Sequence, residues 1–184
     1  MAEAIIFLAN GTEECEALLV VDILRRAKIS IEMVSVEDTT EIISAHQVRI
    51  QCDKTLDEVS SEEVDLLIVP GGLEGTNRMK ANTKLTELLL KHREKSGNLA
   101  AVCAGPSVLG SLGLLSGRVV TAYPGFGDKL GAGANFQDEA VIHDRDVITG
   151  RGLGASIPFA LKLVELLRDH ETAKQIAQEI VYFD

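Results

Sequence analysis

The stretch LAAVCAGPSVLG, Leu99 to Gly110, decides how the chain folds. Its first half is a short apolar run, of the kind buried as a central parallel strand. Its second half opens on Ala104, Gly105 and Pro106 and then turns apolar again, as a helix start does. Proline suits a first helical turn, where its missing N–H has no partner to lose. A strand that passes into a helix through small residues makes a sharp elbow. Cys103 sits at its tip, the layout of a nucleophile elbow without the serine consensus. Free cysteine is often no more than a small core residue. The junction favours chemistry instead, because free amides at a helix start stabilise a thiolate and lower the thiol pKa.

Outward from this elbow, strands and helices alternate. AIIFLA, residues 4–9, reads as a first buried strand, broken by Asn10-Gly11-Thr12. ECEALLVVDILRRAK, 14–28, has helical spacing, with acids early and bases late. ISIEMVSV, 29–36, alternates as a strand, and 41–52 suggests one or two short strands with a turn at Ser44–Gln47. VDLLIVPGG, 64–72, is another buried strand, and 83–97 an amphipathic helix closed by glycine. PSVLGSLGLL continues the elbow as a helix, RVVTAY, EAVIHD and DVITG give short strands, and two helices, 155–169 and ETAKQIAQEIVYF, finish the chain. The pattern predicts an α/β fold, a mostly parallel sheet with helices on both faces.

Composition sets the outer limits. The 184 residues suit a single domain, 1–184, able to hide roughly 70% of its unfolded surface. A net charge of -10 argues against partners with phosphate backbones or anionic lipid, so no nucleic acid and no membrane surface are expected. Cys15, Cys52 and Cys103 form no CxxC pair, so neither a disulfide framework nor a metal site is suggested. The opening run is too short for a signal segment and no stretch is long enough to span a bilayer. The expected location is cytoplasmic and reducing.

In parallel sheets, sites form at the carboxyl ends of strands. Three such ends carry unusual residues: Gly11–Glu16, Pro70–Gly75 and Cys103–Pro106. Glu13, Glu14 and Glu16 are three candidate carboxylates, and spacing does not choose between them. A carboxyl lying against a thiolate would keep its proton and could donate it. Gly71 and Gly72 form a tight turn whose amides, with that of Ala104, could hold an oxyanion. No histidine stands in an evident position to pair with the cysteine. His92 and His170 fall on amphipathic helices and are expected in solvent, His143 at a strand end, and His46 in the exposed turn.

The segments AVCAGPSVL, VPGGLEG, GTEECEALLVVDILRRA and ITGRGLGASIPFALKLVE together resemble the ThiJ/PfpI superfamily, and within it the Parkinsonism-associated (DJ-one) deglycase branch. The resemblance runs over nearly the whole chain in the same order. It implies a flavodoxin-like three-layer α/β sandwich and a homodimer. It implies Cys103 as nucleophile, Glu16 as the partner acid, and Gly72 and Ala104 as the amides facing an oxyanion, with Gly71, Tyr123 and Pro158 as possible lining. Cys52 matches a cysteine that some members place near the dimer interface. One departure stands out. Many superfamily members carry histidine where this chain has Tyr123, so no Cys-His pair is built there, and peptide hydrolysis loses its strong acid.

The activity implied is that of a cofactor-independent glyoxalase or deglycase acting on small dicarbonyls such as methylglyoxal, or on glycated protein. The alternative is a redox sensor or redox-regulated chaperone working through oxidation of Cys103. Thiazole biosynthesis, a label attached to relatives, finds no phosphate-binding loop here.

Overall fold

The computed structural model describes residues 3–59 and 64–182. In chain order the elements are β1 (Ala4–Leu8), α1 (Glu14–Arg26), β2 (Ile31–Ser35), β3 (Glu41–Ile43), β4 (Arg49–Gln51), β5 (Lys54–Thr55), β6 (Leu66–Val69), α2 (Leu73–Ala81) and α3 (Thr83–Glu94). They continue with β7 (Asn98–Val102), α4 (Pro106–Ser111), β8 (Val119–Val120), β9 (Asn135–Phe136), β10 (Val141–Asp144), β11 (Val147–Gly150), α5 (Ser156–Leu167) and α6 (His170–Glu179).

Seven strands form the main sheet in the order β10-β11-β7-β6-β1-β2-β5. All pairs are parallel except the β10–β11 hairpin at one edge. Side chains alternate along each strand, so the sheet separates two cores. Ile6 and Leu8 of β1 pack with Ala17, Val20, Phe159 and Ile176, from α1, α5 and α6. Ile5 and Phe7 pack with Met79, Leu85, Leu89 and Val108, from α2, α3 and α4. The result is the three-layer sandwich expected from the sequence. β1, β6 and β7 are adjacent at its centre, which brings the three unusual strand ends to one edge.

Several local expectations are corrected. The helix at the elbow stops at Ser111, not Leu115, because the chain turns through Gly113 in a left-handed conformation (φ +73°). Gly110 packs directly on the Leu130 backbone. α2 was not expected, since its mixed LEGTNRMKA sequence has a weak apolar stripe. In the predicted 83–97 helix the left-handed position falls on Ser96 (φ +62°), not Gly97. Gly97 is needed for another reason: a Cβ there would enter the His92 ring. His92 is buried rather than solvated, with Nε2 at 2.9 Å from the Asn98 carbonyl. RVVTAY contributes only the two-residue β8, paired with β9 outside the main sheet. α6 begins at His170 and ends at Glu179; Phe183, within the expected last helix, lies outside the described residues.

Candidate active site at the Cys103 elbow

Cys103 leaves β7 in a left-handed conformation, φ +61°. Non-glycine residues seldom adopt it. Here the neighbours hold it: the Cys103 N–H donates to the Gly150 carbonyl at 2.9 Å, and its own carbonyl accepts from Tyr123 N–H at 2.9 Å. Gly105 follows with its α-carbon against the Val69 and Pro70 carbonyls, where a side chain would not fit. The turn leaves the thiol half-buried at the end of the strand.

Glu16 reaches the thiol from the first turn of α1, and it is 1% exposed. Its Oε2 accepts from Gly71 N–H at 3.0 Å, and its carboxyl lies close enough to the Leu153 N–H and the Cys103 thiol for both to act on its charge. The Gly71 α-carbon packs so closely on this pair that a Cβ would overlap Glu16 Oε2 and lie 2.7 Å from Cys103 Cβ. Gly72 follows at φ +92°, and both its N–H and that of Ala104 are directed at the Cys103 sulfur. Of the three acids left open by spacing, the structure thus puts Glu16 on the sulfur. Glu13 caps α1 by accepting from Glu16 N–H at 2.6 Å, and Glu14 faces His46 at 3.0 Å. Among the described residues, Glu13, Glu14 and His46 are the group whose ligand atoms lie close enough for a metal, within 4.8 Å. Those atoms already serve the helix cap and the His46 contact.

Burial pushes the Glu16 carboxyl up to about 7, helped by the Glu13 charge and opposed by its hydrogen bonds. Burial, with the charge and hydrogen bond of Glu16, pushes the Cys103 thiol up to about 12, opposed by the Ala104 and Gly72 amides. This corrects the expected fall. α4 is six residues long, too short to build a strong macrodipole, while Glu16 acts directly on the sulfur. The two groups titrate as a pair. Between about 7 and about 12 the pair keeps one proton. That proton rests on sulfur, where burial and the Glu16 charge hold it, and the Ala104 and Gly72 amides support the minor form in which it has passed to Glu16 and the charge is on sulfur.

The model of the DJ-1/PfpI family matches residues 2–166. The chain belongs to the DJ-1/PfpI family. It is 34% identical over 179 residues to Drosophila melanogaster protein dj-1beta, covering 97% of this chain and 96% of that one. It is 32% identical over 173 residues to a Caenorhabditis elegans protein named glutathione-independent glyoxalase DJR-1.2, covering 93% and 91%. The solved structure of oxidized Toxoplasma gondii DJ-1 superposes with a TM-score of 0.95, at 34% identity over 100% of both chains. The flavodoxin-like α/β fold is thus shared along with the sequence.

The remaining residues of this DJ-1/PfpI chain divide. Tyr123 is 51% exposed beside the elbow, its ring 3.5 Å from where a Gly152 Cβ would stand. Pro158 lies elsewhere, lining a groove between α5 and α6 with Leu161 and Tyr182, and does not line the cavity that Tyr123 shares with Gly152. Cys52 is buried, and Cys15 is exposed. Among the described residues no helix is long and apolar enough to cross a membrane. Leu153 belongs to the GRGLG turn, which family resemblance places near the site without a role. The structure gives the reason: β11 pairs with β7, so the turn that follows β11 opens on the same edge as the elbow.

Proposed function

We propose that this DJ-1/PfpI-family protein is a cysteine-dependent glyoxalase or deglycase, working without a cofactor on small 2-oxoaldehydes or on their early adducts with protein. The observation that carries the reading is the buried Glu16 carboxyl on the Cys103 sulfur, with two backbone N–H groups aimed at the same place. The thiolate form of the pair adds to the aldehyde carbon, making the C–S bond. The carbonyl oxygen gains the electron pair, is held by the Gly72 and Ala104 amides, and takes the Glu16 proton. Glu16, now a carboxylate, removes the hydrogen of that carbon as a proton and returns it to the neighbouring carbon, while the hydroxyl proton on the first oxygen passes to the oxygen of that neighbouring carbon. The first carbon is oxidised to a thioester and the second reduced to an alcohol, so no outside oxidant is needed. Water cleaves the thioester, releases the hydroxy acid and restores the thiol. With an aminocarbinol adduct, Cys103 displaces the amine and the Glu16 proton leaves with it. The glyoxalase named among the relatives supports this choice. Lactate formation from methylglyoxal by purified protein tests it, and activity that survives Cys103→Ala would overturn the mechanism.

A second reading, a redox sensor or redox-regulated chaperone of oxidative stress, uses the same thiol. It is supported by the contrast between half-buried Cys103 and buried Cys52. Cys103 would attack peroxide oxygen, and the resulting acid would be held by the Glu16 proton. Peptide mass spectrometry after mild peroxide checks it; oxidation at Cys15 before Cys103 would remove it. A cytoplasmic homodimer completes the proposal, and sedimentation tests the dimer.

A further inference from the structure

We propose that the cavity beside Cys103 is a carboxylate subsite built on Arg151, so that the preferred substrates are 2-oxoaldehydes carrying an anionic group. The inference rests on the proposed reaction at Cys103 and names its substrate class. A cavity of ≈ 490 Å³ opens here, lined by Tyr123, Pro124, Asp138, Arg151, Gly152 and Leu153 among others. It adjoins the thiol: a Cβ at Gly152 would stand 3.9 Å from the Cys103 sulfur and 3.5 Å from the Tyr123 ring. Leu153, also in its wall, has its N–H near the Glu16 carboxyl.

This volume falls in the range of sites for drug-sized ligands, roughly 300–1,000 Å³. Methylglyoxal, with its few heavy atoms, would leave most of it to water. The rest of the cavity therefore has room for the remainder of a larger substrate, and its lining says what that remainder carries. Tyr123 and Pro124 offer an apolar wall. Arg151 and Asp138 are its two charged linings, and they face each other, Nε to Oδ1 at 2.6 Å and Nη2 to Oδ2 at 3.2 Å. Both are about half exposed, 46% and 58%. An ion pair so placed holds weakly in water and exchanges readily. Asp138 thus occupies, by way of a bidentate carboxylate, the fork that a substrate carboxylate would take. The Arg151 backbone is fixed, its N–H donating to the Ala140 carbonyl at 3.0 Å at the end of the β10–β11 hairpin. The guanidinium therefore swings from a set point next to the elbow.

Two measurements test this. In the first, 4-oxopentanoate, which has the ketone and the carboxylate but no aldehyde, protects Cys103 from alkylation by iodoacetamide. It should protect about tenfold better than its methyl ester in the wild type. The ratio should collapse in Arg151→Gln and rise in Asp138→Asn, which frees the fork. In the second, 4,5-dioxopentanoate should be turned over with a kcat/KM about tenfold above its methyl ester. Equal protection by acid and ester in the wild type, or a preference that survives Arg151→Gln, overturns the subsite. A wild type that is inert toward every 2-oxoaldehyde yet keeps the protection ratio overturns the proposed reaction and upholds the subsite.

Discussion

The β1–α1 and β7–α4 junctions leave the two central strands that flank β6, and each turns through a left-handed residue, Gly11 at φ +81° and Cys103 at φ +61°. At the first, side chains take up the free donors. Thr12 Oγ1 accepts from Ala9 N–H at 2.9 Å, and the Glu13 carboxylate caps α1. At the second there is no side-chain cap, Pro106 has no N–H, and the Ala104 amide is left to the sulfur. Thr12 and Glu13 make one junction a fixed support, which delivers Glu16. The other keeps its donor for chemistry and puts a cysteine where glycine would be less strained. An uncapped helix start becomes reactive here because a capped one stands beside it.

The largest expected effect breaks the link between the junctions. Glu16→Gln should lower kcat/KM for methylglyoxal by about 10²–10⁴-fold, the range for loss of a general acid–base group. Its signature is the pH profile of Cys103 alkylation. In the wild type, reactivity should rise through about pH 7, where the pair loses its first proton, and then level off. In Glu16→Gln that limb should vanish and reactivity rise only at higher pH. An unchanged profile would separate Glu16 from the thiol. Stability should move the opposite way. A carboxyl whose pKa is raised by folding keeps more protons in the folded state, so stability falls as pH rises from 4.5 to about 7. The full penalty, at most about 3.4 kcal/mol at 1.36 kcal/mol per unit, stands above that window. Glu16→Gln should therefore be more stable than wild type at pH 8 and gain little at pH 4, read by urea unfolding.

The glycines that hold the junctions together come next. Gly71→Ala puts a methyl onto Glu16 Oε2 and within 2.7 Å of Cys103 Cβ. Overpacking of this kind costs about 1–3 kcal/mol. It should also lower activity by about tenfold or more, since displacement of a positioned group by an ångström is that costly. Gly72→Ala meets the Gly11 carbonyl and the Glu13 amide in a left-handed backbone, so its stability loss should be the greater of the two. If Gly71→Ala were fully active, the close packing would have no role in aligning the pair.

How far all this could be read from the chain follows the range of the forces involved. The alternation of apolar strands with amphipathic helices made the sheet legible, because burial on both faces selects residue types along each segment. The elbow was legible because Ala104-Gly105-Pro106 is local turn chemistry. α2 was not, since its short helix depends on Met79 and Thr76 reaching a core that other elements supply. Nor was the buried state of His92, which rests on one bond to a strand that follows. The sign of the Cys103 shift was lost for the same reason: helix amides were visible in sequence, and desolvation beside Glu16 was not. The choice of Glu16 over Glu13 and Glu14 came from family resemblance and awaited a fold that turns only one of them toward Gly71.

The smallest effect asks whether the capped junction only supports the reactive one or also tunes it. Glu13 acts on Glu16 in two ways, as the acceptor for its N–H and as a negative charge that raises its carboxyl. Glu13→Ala removes both and should cost about 1 kcal/mol, as loss of a helix cap does. Glu13→Gln keeps an acceptor oxygen and removes only the charge. Without that charge the ionised form of Glu16 becomes less unfavourable, so the limb in Cys103 alkylation should shift to lower pH in both variants. Stability should fall further in Glu13→Ala than in Glu13→Gln. Should the limb stay at about 7 in both, burial alone sets the Glu16 carboxyl, and the first junction positions the acid without tuning it.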